Sequence, residues 1–303
     1  MKKKLAAFAI AMALSASCFA ADSLSATQKV GAIEKALYGT EQTGSLVARM
    51  DSLEDDLYGT IGNEAILTRI DNMYAYIDGS SASGEASFAT RLNVIDWKLS
   101  DNMSTQPAKT RIENAEKLVN GSVQSGSLST RLQELERLAG YADANIPVQE
   151  VTLPKDSVMK IIFDSEFSTK TNRKGDTITF TSADNLYVND VLVLPKGAHG
   201  VATLNKVSQP GIFGKDGRLD LTFSHVEAVD GTKIPLYVGE LAKQKATSIA
   251  GAAGAAIGSM IVLGPVGLVG GAFVKGSSVT IPAGSATFVQ ASADTTVQGV
   301  IEQ

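Results

Sequence analysis

The chain has a single cysteine, Cys18, two histidines and one tryptophan among 303 residues, and aromatic residues make up only 6%. One cysteine forms no internal disulfide, so any domain here is held together by burial alone. Two histidines, His199 and His225, cannot supply a ligand-spaced His/Cys metal cluster, and neither an HExxH nor a P-loop pattern occurs. His199 lies in the turn Gly197-Ala198-His199-Gly200. His225 follows Ser224 on an expected strand, where neighbouring side chains point to opposite faces, so a Ser-His-Asp arrangement is not expected and both histidines read as structural. No excess of positive charge exists either. The net charge of −5 and the lack of a basic stripe exclude nucleic acid as the partner. Asp176, Asp184 and Asp190 do not have calcium-loop spacing. No catalytic residue, metal or cofactor is expected.

The chain begins with Lys2, Lys3 and Lys4, then an apolar run from Leu5 to Leu14, then small residues ending Cys18-Phe19-Ala20. This is the three-part layout of a secretory signal peptide over residues 1–20, with cleavage near Ala20. The apolar run is shorter than the roughly 20 residues a membrane-spanning helix needs. The alternative is a lipoprotein leader acylated at Cys18, but a lipobox carries Leu three positions earlier, where Ser15 stands. The expected location is the periplasm or the outer membrane.

Residues 21–145 repeat. A basic residue recurs at Lys29, Arg49, Arg69, Arg91, Arg111 and Arg131, at steps of 20, 20, 22, 20 and 20. In the best copy Leu46, Met50, Leu53 and Leu57 form one stripe along three helical turns, followed by Tyr58-Gly59. Gly39, Gly59, Gly79 and Gly121 sit where a left-handed helix cap wants glycine, and Ser or Thr at 43–45 and 127–130 suit helix starts. A continuous helix would turn successive stripes about 200° apart, so six separate helices of roughly 12 to 15 residues are expected, folded back or stacked. Arg49, Arg69, Arg91, Arg111 and Arg131 mark the face of the repeat a partner would meet. The acids in this region outnumber the bases, which disfavours a polyanion ladder. Pairing with acids such as Asp51, Glu54, Asp71 or Glu136 on a solvated helix face is the simpler reading. The stretch resembles tandem repeats of the Gly-Ser-Leu-x-x-Arg-Leu-x-x-Leu-Glu-x-x-Leu-Tyr-Gly type in exported bacterial proteins, a resemblance that implies no particular activity.

Residues 146–303 read as β structure. Short runs rich in Val, Ile, Thr and Phe predict strands at 148–153, 158–163, 177–182, 191–194, 200–207, 219–229, 233–238, 279–281, 286–291 and 296–301. Leu153-Pro154-Lys155-Asp156, Leu194-Pro195-Lys196-Gly197 and Ile281-Pro282-Ala283-Gly284 read as type I turns with Pro second, and Val229-Asp230-Gly231-Thr232 as a hairpin. The fold class is therefore segregated α+β: short helical repeats, then a small β-barrel or sandwich. Residues 247–274 carry no charge, between Lys245 and Lys275. Gly251, Gly254 and Gly258, with Gly267 and Gly271, give small-residue spacing for close helix contact in lipid or in an oligomer, a glycine zipper at 247–275. Gly264-Pro265 divides the stretch, so an apolar helical hairpin is expected.

The phrases Leu194-Pro195-Lys196-Gly197, Gly217-Arg218-Leu219-Asp220-Leu221 and Asp230-Gly231-Thr232-Lys233-Ile234 resemble the C-terminal β domain of the TrbI-like outer-membrane core scaffolds of conjugation and type IV secretion. The resemblance implies a barrel with a helical insertion reaching the outer membrane. Where that family has a cytoplasmic or inner-membrane anchor, this sequence opens with a leader and repeats. Together these features point to a non-enzymatic envelope scaffold, with an envelope protein or a second copy as its partner and self-association into a homo-oligomer. A soluble periplasmic binding module for peptidoglycan or an envelope protein is the alternative.

Overall fold

A computed structural model describes residues 24–78, 85–141, 145–210, 217–252, 262–264, 267–269 and 278–302. The leader, Gly79, Gly254, Gly258 and Gly271 lie outside the described residues. Among the described residues six helices come first: α1 (Ala26–Tyr38), α2 (Leu46–Tyr58), α3 (Ile66–Asp78), α4 (Phe88–Ser100), α5 (Ala108–Asn120) and α6 (Leu128–Leu138). Ser25, Ser45, Ser87 and Ser127 cap the starts of α1, α2, α4 and α6 by accepting a backbone N–H. Gly39, Gly59 and Gly121 stop α1, α2 and α5 in the left-handed conformation, and Asp101 does so for α4.

Helices within a group of three run parallel. Tyr38 at the end of α1 donates to Asp56 near the end of α2, and the rings of Tyr58 and Tyr76, near the ends of α2 and α3, lie 5.6 Å apart. Each connection therefore travels back the whole length of a helix. A 13-residue helix rises about 20 Å, and the seven residues 39–45 span about that distance when extended. The apolar stripe faces the three-fold axis in layers: Val30, Met50 and Ile70, then Ile33, Leu53 and Met73, then Leu37, Leu57 and Ile77. All nine are buried. Spacings of three and four residues are those of a coiled-coil seam, here built from one chain.

The two groups, α1–α3 and α4–α6, stack end to end. Gly39 at the end of α1 abuts Pro107 before α5, Gly59 at the end of α2 faces Ser127 before α6, and Tyr76 of α3 packs on Phe88 of α4 at 5.9 Å. Phe88, Ala108 and Leu128, the first residues of the upper helices, are buried in this joint. The single 22-residue step of the repeat falls between the two groups. The array is thus a three-helix column and not an open solenoid.

The β domain contains β1 (Val148–Leu153), β2 (Val158–Phe163), β3 (Phe167–Ser168), β4 (Thr177–Ser182), β5 (Leu186–Val188), β6 (Val191–Leu194), β7 (His199–Ser208), β8 (Arg218–Glu227) and β9 (Lys233–Tyr237). After α7 (Glu240–Ala252) come β10 (Val262–Gly264), β11 (Gly267–Val269), β12 (Thr280–Ile281), β13 (Ala286–Ala291) and β14 (Thr295–Ile301). Strands β13, β2, β4, β7, β8 and β9 close a six-stranded barrel, flanked by a sheet in the order β1-β14-β6-β5. Phe163, Phe167, Phe180 and Phe223 fill the barrel interior, with ring centroids 5.0 to 6.4 Å apart. Gly200 is required there, because a Cβ would sit 2.1 Å from the Phe180 ring.

Three expectations are corrected. The Pro turns place Pro first: Ser157, Ala198 and Ser285 donate to the carbonyls of Pro154, Pro195 and Pro282. Asp156, Gly197 and Gly284 then take positive φ at the third position, which a type I turn does not have. In the uncharged stretch, residues 262–264 and 267–269 are strands and not part of a second helix. β10 and β11 form an antiparallel hairpin, pairing Gly264 with Gly267 around the Gly264-Pro265 break. The β-branched Val262 and Val269, paired across the hairpin, favour strands there. Gly251 lies in α7, so the hairpin is α then β. On β8, β7 pairs Val201 with His225 but Ala202 with Phe223, skipping Ser224. That bulge breaks the alternation, and the Ser224 hydroxyl lies 3.0 Å from His225 Nδ1.

Candidate functional site

Every repeat arginine occupies the fourth position of its helix, and in four of the five its main partner is an acid at the ninth position of the preceding helix. Arg49 donates to Glu34 at 2.5 and 2.8 Å, Arg69 to Glu54 at 2.6 and 3.0 Å, Arg111 to Asp96 at 2.6 Å, and Arg131 to Glu116 at 2.7 Å. The same carboxylate accepts a backbone N–H of the returning connection: Gln42 to Glu34, Gly62 to Glu54, Ser104 to Asp96 and Gln124 to Glu116. One acid therefore ties two helices and the strap between them.

The exception closes the second group. α3 has Tyr74 at its ninth position, so Arg91 has no acid behind it. It reaches instead to Glu136 of α6, at 2.5 and 2.7 Å, and to the Tyr76 hydroxyl at 3.2 Å. In the first group Lys29 of α1 closes on Asp71 of α3 at 2.7 Å. Each group of three is a closed ring of ion pairs.

The expected pairing with acids is present, but not on a solvated face. The five arginine side chains are only 8 to 12% exposed. At Arg49 and Arg69 the strap lies against the side chain, at Gly44 and Gly62. Burial opposes the charge on Glu54, yet the Arg69 guanidinium and the Gly62 N–H outweigh it and hold this acid below its usual range. Glu116 is held low in the same way by Arg131 and Gln124. At Asp96 and Glu136 burial prevails over the arginine, and both are pushed up. These joints are structural chemistry: they fix register and bury charge in pairs.

The column is fixed to the barrel along α4. Asn93 Nδ2 donates to the Val229 carbonyl at 2.9 Å, Trp97 Nε1 to Asn185 at 3.0 Å, and Met103 N–H to the Lys196 carbonyl at 3.0 Å. Leu192, Val229 and Val300 of the β domain share one apolar core with the helices. A cleft of about 620 Å³ lies at this junction, with Phe88, Asn93, Arg111, His199 and Glu227 on its walls.

The uncharged stretch leaves the barrel through α7. Ala242 and Ala246 pack on Phe288 of β13, and buried Gln290 of β13 accepts the Ala242 N–H at 3.1 Å. The barrel side chain thereby caps the first turn of the helix. Farther on, β10 lies beside α7 and β11 beside β8. Among the described residues no helix is long and apolar enough to cross a membrane.

His225 lies on the barrel surface, 3.9 Å from Glu227. Burial, reinforced by Lys233, keeps its imidazole below the usual range, so it is neutral near pH 7. Among the described residues no group of three or more His, Cys, Asp or Glu side chains converges as a metal site would require.

No family model matches the chain, and no curated protein matches it either. Among solved structures it is similar to ComB10 of the Com type IV secretion system of Helicobacter pylori, at 15% identity and a TM-score of 0.27. That likeness covers 47% of this chain and 88% of the other.

Proposed function

We propose that the chain is a non-enzymatic scaffold of the cell envelope: a periplasmic three-helix column fixed to a barrel that presents an uncharged, glycine-rich segment to the outer membrane or to another copy. The observation that carries this reading is the closure of the barrel. β13 pairs directly with β9 through Gln290 with Tyr237 and Ala291 with Leu236, so the wall is complete without residues 240–279. A stretch of 28 uncharged residues that the barrel does not need for closure has its use elsewhere. The resemblance of the β-domain phrases to type IV secretion core scaffolds supports the same reading. Carbonate extraction of membranes tests it: the intact protein stays with the membrane or in a detergent-stable oligomer, and deletion of 247–275 releases it. Recovery of the intact protein as a soluble monomer overturns it.

The cleft between column and barrel favours a second reading, a soluble periplasmic module that holds peptidoglycan or an envelope protein. Under that reading Asn93→Ala or Arg111→Ala abolishes ligand capture, while deletion of 247–275 changes neither capture nor location.

A further inference from the structure

The joint inside the column shows how an end of three parallel helices is covered. The end layer Leu37, Leu57 and Ile77 and the start layer Phe88, Ala108 and Leu128 meet, and all six are buried. Among the described residues, the two outer ends of the column carry the same layers without that cover. At the free end Ala26, Leu46 and Ile66 are only half-buried, and Val47 and Leu67 beside them are exposed. At the other end, Leu99 and Ala139 are half-buried and Val119 is exposed. Leu118 and Val123 stand exposed around the end of α5. Leu118 and Leu67 are the two most exposed large apolar side chains among those described, at 62 and 59%. Gly121, the cap of α5, has open space where Gly39 and Gly59 meet the next group.

We propose that the chain assembles head to tail with a second copy, the start of α1–α3 of one copy seating on the end of α4–α6 of the next. The internal joint sets the rotation. There each helix end meets the start of the next helix round the ring: α1 meets α5, α2 meets α6 and α3 meets α4. Continuing that rule, the end of α5 meets the start of α3 in the following copy. Those are the two places where the most exposed apolar side chains, Leu67 and Leu118, stand. Helix dipoles favour this arrangement over head to head, because helix ends of negative polarity meet starts of positive polarity. The contact is between dissimilar surfaces, so it propagates into a filament unless its rotation closes a ring. Three helix ends are a small area, so the contact is weak and depends on concentration.

Cysteine crosslinking tests the geometry in the chain from Ala21 onward, which contains no cysteine. Ala65→Cys at the start of α3 and Asn120→Cys at the end of α5 are placed to meet between copies. Mixed and oxidised, the two variants give a disulfide dimer at least tenfold faster than either alone. Equal rates in the mixture and in the single variants overturn the proposal. Sedimentation of the same chain shows mass rising with concentration through successive multiples. Leu67→Glu and Leu118→Glu each remain monomeric, while their mixture stops at the dimer, since each variant retains one working end. Both side chains are exposed, and unchanged thermal unfolding shows that the variants fold. A parent that is monomeric at every concentration, or a mixture that stays monomeric, overturns the proposal. Deleting 247–275 leaves the series intact; its loss on that deletion would assign assembly to the glycine-rich segment and overturn the column contact, independently of membrane association.

Discussion

Glu136 in the sixth helix holds Arg91 in the fourth, 45 residues earlier, through two hydrogen bonds of 2.5 and 2.7 Å. The pair closes the second ring, and Glu136 is the one ninth-position acid with no later helix to serve. Arg91→Ala leaves that carboxylate buried and unpaired, a loss of about 3–5 kcal/mol. Urea unfolding should report it, and Arg91→Met with Glu136→Leu together should recover most of it.

The layer at the middle of the first ring is completely enclosed. Leu53→Ala opens a cavity among Ile33 and Met73 and should cost about 2–5 kcal/mol. Val47→Ala, on an exposed position of the same helix, should stay within about 0.5 kcal/mol by the same unfolding measurement. Equal losses would contradict the layered packing.

Acid should act on the joints with opposite signs. Glu54 is held low, so its stabilisation is complete above the usual glutamate value of about 4.3 and fades as pH falls through its folded value. Glu136 is pushed up, so its contribution is greatest below that usual value and declines as pH rises through its folded value. The stability gap between parent and Glu54→Gln should therefore widen from pH 3 to 7. The gap between parent and Glu136→Gln should narrow as pH rises from about 4.

Asn93 couples the two parts of the molecule. It donates to Val229 of the barrel and accepts from Arg111 Nη2 at 2.8 Å. Asn93→Ala leaves both partners short of a bond at a buried site, at a cost of about 1–3 kcal/mol. Calorimetry of this variant should resolve column and barrel as separate transitions if the parent melts as one.

Much of this was legible in the sequence. The stripe Leu46, Met50, Leu53, Leu57 and the capping residues Gly39, Gly59 and Gly121 define the helices, because local periodicity and φ preference act within a few residues. Nine of the ten predicted strands need a shift of no more than one residue at either end. The closure of the rings was not legible. Arg91–Glu136 and Lys29–Asp71 join residues far apart, and nothing in a 20-residue period announces a three-fold turn. Burial of the arginines is hidden for a related reason: the straps beside Arg49, Arg69, Arg111 and Arg131 read as exposed polar loops until their N–H groups are seen bonded to the partner acids. β3 and β5 are two and three residues long, too short for alternation to register. Ser224 shows the limit of alternation itself, since one skipped residue in the register brought its hydroxyl to His225.

Closure in threes also governs how such an array can change in length. One added repeat would bring an arginine to a ring already shut and leave an acid without its partner. Three added repeats would complete another ring and lengthen the column by about 20 Å. Column length is therefore counted in steps of about sixty residues, and duplication or loss of a single repeat is the change this architecture tolerates least.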